Sequence, residues 1–264
     1  DIRLVNYGPI RAGQSLRPVS YERYSNVRKQ TVGTHSRTRM TFGKSHDLDP
    51  ELTHDGKLAY FASDRTSNQL TLWRINALSP AGVTKITATQ ANDREPSIFP
   101  DGQIIAFESL PDGSDAWQIW TVQANGLLPS QLREGRRPRV SPDGEKILFM
   151  RPDRDSGVSQ VWMMSADGSN ETQLTQNRDH ETVDAEWSPD GQWIVFASDE
   201  GLDTKKRKNF DIWIMAADGT RKTQLTTNGS KDVNPVWDRE GKTIYFRSNR
   251  GGQWNVWRFE PVLP

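Results

Sequence analysis

Two sets of side chains in this sequence could do chemistry, and both sit at recurring places. The first is a pair of histidines, His46 in "KSHDLD" and His180 in "RDHETVD", each with acidic residues beside it. Two imidazoles with nearby carboxylates could begin a divalent-metal site. A metal normally wants a third protein ligand, and neither His35 nor His54 is in phase with the pair. His46 and His180 are therefore weak metal candidates, set against their plain reading as solvated loop residues. The second set is Asp49, Glu95, Arg137, Asp184 and Asn234, which fall at equivalent points of a repeat, with Asp47, Asp93 and Asp232 two residues upstream of their own partners. Carboxylates brought together at one end of a channel repel, and a low-dielectric wall strengthens the effect. Such a channel mouth would recruit a divalent cation, a basic peptide, or Arg137 as an internal counter-charge. The competing reading is that several of these carboxylates only accept backbone hydrogen bonds.

Catalytic motifs are missing. No G-x-S-x-G elbow occurs, and the Gly, His and Ser of "TVGTHSRT" are neighbours in sequence, which does not make a triad. "GPIRAG" lacks the strand–helix context of a dinucleotide fingerprint, and there is no P-loop. The expectation is a protein that is not an enzyme and needs no cofactor.

Charge excludes little more. The 264 residues carry 34 Lys+Arg and 34 Asp+Glu, so no global field points to nucleic acid or membrane. Residues 1–45 hold nine basic side chains against Asp1 and Glu22, a local excess of +7. Further basic clusters are "REGRRPR" (Arg133, Arg136, Arg137, Arg139) and "DTKKRKN" (Lys205 to Lys208). Nucleic-acid binding wants a continuous basic face with exposed aromatics. Acidic residues interleave here, so no nucleic-acid partner is expected, and "KKRK" reads as a charged loop first and a protein-docking loop second. Cysteine is absent, which removes disulfides and thiolate metal sites. No apolar run approaches membrane-spanning length. The chain starts at Asp1, so a whole mature protein and an excised domain both remain open.

What would position these residues is a repeat. "PELTHDGKLAYFASDR", "PSIFPDGQIIAFESLPDG", "PRVSPDGEKILFMRPD", "AEWSPDGQWIVFASDEG" and "PVWDREGKTIYFRSNRGG" are variants of one phrase. Their turn glycines, Gly56, Gly102, Gly144, Gly191 and Gly241, are 46, 42, 47 and 50 residues apart. Trp73, Trp120, Trp162, Trp213 and Trp257 keep the same step, as do the tails "TKIT", "TQLT" and "TQLT", with "SQLR" a weaker copy. Asp-Gly turns accept the positive φ of tight hairpins, so each unit reads as antiparallel strands. Four strands per unit of roughly 40–45 residues is the pattern of a β-propeller blade. The Trp series is then expected in the layers between blades, while Trp117 and Trp254 break the period and are expected to be exposed.

The architecture predicted is all-β: a six-bladed β-propeller of four-stranded antiparallel blades, with five blades as the alternative. Residues 1–264 form a single propeller domain, with 1–46 a degenerate first blade and 47–264 five clear repeats. The last copy ends at "NVWRFEPVLP" without a fourth strand, so the strand near Ile2–Tyr7 is expected to close the ring. In the five-blade alternative, "RTRMTF" would close the last copy instead.

The phrase around Trp187-Ser188-Pro189-Asp190-Gly191, followed by "FASD", "DIWIMAADGT" and "TQLT", resembles the repeat of the TolB-like, WD-like propellers over about residues 47–260. The resemblance implies a periplasmic or secreted location in a bacterial envelope and a protein or peptide partner. Residues 1–46 do not read as the α/β domain that TolB-type proteins carry ahead of the propeller. The reading is a monomeric, non-catalytic scaffold binding at the channel mouth. The alternative is a carbohydrate-active or peptidase-associated propeller, because the same repeat occurs in both.

Overall fold

The computed structural model describes residues 2–6, 27–31, 37–79, 81–201 and 209–264, with side chains from Arg39 onward. His35 and the "KKRK" cluster lie outside the described residues. The chain divides into two compact units, residues 1–131 and 132–264.

Unit 1 begins with a sheet of β1 (Ile2–Asn6), β2 (Val27–Thr31) and β3 (Arg37–Arg39). The second sheet is β4 (Asp47–Leu52), β5 (Leu58–Ser63), β6 (Thr71–Asn76) and β7 (Thr84–Lys85). The third is β8 (Ala91–Ile98), β9 (Ile104–Pro111), β10 (Gln118–Gln123) and β11 (Ser130–Glu134), and the unit boundary falls inside β11. Unit 2 holds the fourth sheet, β12 (Arg136–Val140), β13 (Lys146–Pro152), β14 (Ser159–Ser165) and β15 (Thr172–Gln173). The fifth is β16 (Thr182–Trp187), β17 (Trp193–Ser198), β18 (Asp211–Ala216) and β19 (Thr223–Gln224). The sixth is β20 (Asp232–Trp237), β21 (Ile244–Ser248) and β22 (Asn255–Phe259).

Each repeat hairpin is set by its turn. Ser188 Oγ donates to Asp190 Oδ1 at 2.5 Å, the Gln192 N–H donates to the same oxygen, and Gly191 takes φ +69°. The Trp193 N–H then returns to Ser188 Oγ at 2.9 Å, which starts β17. The same contacts recur at Ser141–Asp143 and Thr53–Asp55.

The repeat makes an all-β propeller with five blades on a four-stranded antiparallel plan, and this corrects the six four-stranded blades expected. Residues 1–46 lack the Asp-Gly turn and the Trp that fix a blade's register, and among the described residues they supply the three-stranded sheet β1–β2–β3. There β1 pairs antiparallel with β2, from Ile2 opposite Thr31 to Asn6 opposite Val27. Among the described residues the sixth sheet has three strands, β20, β21 and β22.

The core is built from the second strands, buried on both faces. In unit 1, Ala59 and Phe61 of β5 face Met40, Trp73 and Ile75, while Tyr60 and Ala62 face Leu72, Ile105 and Phe107. In unit 2, Ile194 and Phe196 of β17 pack with Leu148, Val161 and Trp187, and Val195 and Ala197 pack with Ile212, Ile244 and Phe246. Near-continuous apolar strands are what two buried faces require. Of the repeat Trp residues, Trp73 is buried in its cluster, and Trp120 and Trp213 pack against the clusters that join neighbouring sheets. Each stands across from a Phe, as Phe61–Trp73, Phe107–Trp120, Phe149–Trp162, Phe196–Trp213 and Phe246–Trp257. The Phe is buried every time; Trp120, Trp162 and Trp213 are half-buried. Cations cover several of them, with the Arg151 guanidinium 3.8 Å from the Trp162 ring centre and Lys222 5.7 Å from Trp213. Trp117 is half-buried and Trp254 is exposed.

One glycine ties two sheets of unit 1 together. Gly126 has φ +88°, and a Cβ there would lie 2.5 Å from the backbone carbonyl oxygen of Ile86. Gly126→Ala combines a left-handed backbone with a clash no side-chain rotation can relieve, so we expect a loss of about 2 kcal/mol in urea unfolding.

Candidate functional site

The five aligned residues Asp49, Glu95, Arg137, Asp184 and Asn234 share one backbone device. In every first strand the pairing slips by one residue, between Leu48 and Glu51, Arg94 and Ser97, Arg136 and Arg139, Val183 and Glu186, and Val233 and Val236. Two residues there oppose one on the second strand, which is a β-bulge, and a bulge re-aims a side chain. The first bulge residue is left-handed each time, with φ 50°, 48°, 52°, 59° and 53° in chain order. Asp and Asn accept this conformation with little penalty; Glu95 and Arg137 hold it at a cost of about 1–2 kcal/mol each. Proline follows in four of the five, Pro50, Pro96, Pro138 and Pro235, where its missing N–H suits an interrupted ladder. All five residues are half-buried.

In unit 1 the bulges bring carboxylates together. Arg94 Nε donates to Asp49 Oδ2 at 3.2 Å, and burial together with the charge of Glu95 raises the Asp49 pKa against the pull of Arg94. In unit 2 the bulges form a neutralised chain. Arg137 Nη1 pairs with Asp184 Oδ1, while Asp184 Oδ2 accepts from the Asn234 N–H at 3.0 Å and from Asn234 Nδ2 at 2.8 Å. Beside it, Arg139 Nε donates to Glu186 Oε2 at 3.0 Å. Arg137 and Arg139 of the basic run are thus engaged by carboxylates of their own unit.

The three upstream aspartates do not stand with them. Asp47, Asp93 and Asp232 are fully buried. Arg65 Nη2 reaches Asp47 Oδ1 at 2.8 Å, and Arg250 Nη2 reaches Asp232 Oδ2 at 2.6 Å. Asp93 accepts from Ser109 Oγ at 2.7 Å and Thr89 Oγ1 at 2.5 Å, and burial raises its pKa against those bonds. These carboxylates fasten the start of a first strand to the end of a second. The two histidines are also held singly. His46 Nδ1 lies 2.7 Å from Asp64 Oδ2 in unit 1, and His180 Nδ1 lies 2.8 Å from the Asp199 carbonyl in unit 2. Among the described residues no group of three or more His, Asp or Glu side chains could hold a metal ion.

Sequence reasoning missed the arginine partners and one further acid. The S-x-R element of Ser63–Arg65 and Ser248–Arg250 carried the signal: each serine accepts from its arginine Nε, at 3.0 and 2.9 Å. Asp211, buried beside Asp232, has its pKa raised by burial, and then by the charge of Asp232, to about 6. Thr226 and Gln224 hold its two oxygens, at 3.2 and 3.1 Å. Below the unfolded value of 3.8 the group is protonated in both states and costs nothing. As pH rises from there through about 6 the unfolded chain ionises first, and folding stability is lost. We expect wild type to lose about 1–3 kcal/mol over this range relative to Asp211→Asn, whose profile is flatter. Urea unfolding at pH 4 and pH 7 measures the difference in slope.

Comparison with known proteins places this geometry. Residues 141–235 match the family model described as the dipeptidyl peptidase IV N-terminal region. A "Tol-Pal system protein TolB" of Anaeromyxobacter dehalogenans is 41% identical over 51 residues, 19% of this chain and 10% of that protein. An uncharacterised protein of Agrobacterium fabrum is 35% identical over 72 residues, 27% of this chain and 22% of its own length. The crystal structure of TolB from Acinetobacter baumannii superposes with a TM-score of 0.73 at 18% identity, over 90% of this chain and 57% of that one. The fold is that of the TolB-like β-propellers. A putative TolB from Agrobacterium tumefaciens agrees, with a TM-score of 0.71 at 20% identity over 85% of this chain and 80% of that one. The curated relatives match over less than a quarter of their own lengths, so the likeness carries the TolB-like repeat and fold. No helix of the described residues is long and apolar enough to cross a membrane.

Proposed function

We propose that this TolB-like propeller is a monomeric, non-catalytic scaffold that binds a protein or peptide partner through its bulge residues, without a cofactor, in the periplasm or outside the cell. One observation carries the reading: five non-glycine residues occupy left-handed bulges at the same point of five first strands. Asp49, Asp184 and Asn234 accept that conformation cheaply, whereas Glu95 and Arg137 keep a side chain there at a cost, which supports a contact role for the position. The unit 1 pair, Asp49 and Glu95, is acidic, so the partner is expected to offer Lys, Arg or amide donors to it. The envelope location rests on the likeness to TolB proteins of the Tol-Pal system.

The test is affinity capture from a bacterial envelope extract, wild type against Asp49→Asn/Glu95→Gln. Loss of a captured protein by a variant that melts like wild type supports the proposal, and equal capture by both defeats it. A second reading, a propeller serving a peptidase, is favoured by the match of residues 141–235 to the dipeptidyl peptidase IV N-terminal region. Turnover of chromogenic dipeptide substrates by the purified chain would favour it; the scaffold reading expects none.

A further inference from the structure

The joint between the fifth and sixth sheets carries one more buried acid than its counterpart in unit 1. In both places the carbonyl three residues before the repeat Trp accepts from the aspartate that opens the next first strand. Leu70 accepts from the Asp93 N–H at 2.8 Å, and Phe210 accepts from the Asp232 N–H at 2.7 Å. The residue after that carbonyl is Thr71 in unit 1 and Asp211 in unit 2. Asp211 is 3% exposed and Asp232 0%, so two carboxyl groups meet out of water.

Donors around the pair are unevenly placed. Asp93 has a hydroxyl on each oxygen, from Ser109 at 2.7 Å and from Thr89 at 2.5 Å. Asp232 Oδ2 instead takes both Arg250 Nη2 at 2.6 Å and Asn228 Nδ2 at 3.1 Å. Asp232 Oδ1 has no hydrogen-bond partner among the described residues. A fully buried acceptor left bare is costly. Asp211 is served by neutral groups only, Thr226 Oγ1 on one oxygen at 3.2 Å and Gln224 Nε2 on the other at 3.1 Å. Lys222 of the β18–β19 turn is paired with Glu200 at 2.6 Å. The charged groups of the joint are thus Asp211 of β18, Asp232 of β20 and Arg250 beyond β21, one cation for two acids.

We infer that Asp211 carries a proton which it donates to Asp232 Oδ1, and that this proton fastens the fifth sheet to the sixth. The carboxyl hydrogen supplies the missing donor and leaves one carboxylate for one guanidinium. When the proton passes to water, two carboxylates face each other in a low dielectric and the joint loosens. Burial, and then the charge of Asp232, raises the Asp211 pKa to about 6, which gives the sign. Below the unfolded value of 3.8 both states keep the proton; from there the folded chain alone keeps it, and the fastening weakens as pH rises through about 6. Asp232 stands two residues ahead of Asn234, so this joint is the root of the bulge that holds Asp184.

Hydrogen exchange of the full 264-residue chain at about pH 5 and about pH 7 reads the joint at the Asp232 amide. The Val161 amide of the same unit, bonded to Thr175 Oγ1 at 2.9 Å and preceded by the neutral Gln160, is the internal control. With each rate corrected for the intrinsic pH dependence of exchange, opening at Asp232 should rise about ten-fold relative to Val161. In Asp211→Asn, whose amide donates to Asp232 Oδ1 at every pH, the rise should vanish. Carboxyl-carbon NMR of the wild type needs no variant: the Asp211 and Asp232 signals should move together at one midpoint of about pH 6. Equal responses of the Asp232 and Val161 amides overturn the inference. So does a rise that persists in Asp211→Asn, or an Asp232 signal that stays still while Asp211 titrates.

Discussion

Phe196→Ala should lower unfolding stability by about 3–5 kcal/mol, and Trp213→Ala by less than half as much. The two residues face each other across β17 and β18 and belong to one repeat phrase, yet their surroundings differ. Phe196 is fully buried among Leu148, Val161, Trp187 and Met215, so its loss leaves a cavity that rigid strands cannot close. Trp213 is half-buried under the Lys222 ammonium, and truncating it opens a notch that water can fill. Urea unfolding of both variants measures the ratio. Equal costs would mean that the tryptophans, and not the phenylalanines, are the pillars between sheets.

Arg250→Ala is expected to cost about 3 kcal/mol in urea unfolding at pH 7. The guanidinium holds the fully buried Asp232 carboxylate at 2.6 Å, donates from Nε to Ser248 Oγ, and lies 5.2 Å from the Phe246 ring centre. Removing it strands a buried charge, and that penalty exceeds the lost attraction. Adding Asp232→Asn to Arg250→Ala should recover part of the loss. A double variant no more stable than the single one would show that lost packing on Phe246 and Trp257 dominates.

The recurring Asp-Gly turns and the Trp period disclosed the hairpins because each is local chemistry: φ +69° at Gly191 needs glycine, and one turn sets the register of its strands. They also aligned Asp49, Glu95, Arg137, Asp184 and Asn234 correctly, since all five are one residue type of position, the start of a bulge. The bulge itself was readable in Pro50, Pro96, Pro138 and Pro235, because proline inside a first strand breaks its ladder. What sequence spacing does not carry is side-chain direction across a bulge. Asp47 and Asp49 are two residues apart, yet Asp47 is buried against Arg65 while Asp49 meets Arg94 of the next sheet. The six-blade count overreached for a similar reason: residues 1–46 carry neither the Asp-Gly turn nor the Trp of the repeat, and strand pairing without them is a long-range choice that spacing does not carry.

The claim that the acidic bulge residues of unit 1 form a contact site rests most directly on one measurement. Calorimetric titration of a lysine- and arginine-containing peptide library into wild type and into Asp49→Asn/Glu95→Gln, at low and physiological salt, reads the acidic pair alone. The account predicts binders for wild type that weaken about ten-fold or more in the variant and weaken again with salt. Binders with equal affinity for both proteins, or no binder for either, would contradict it.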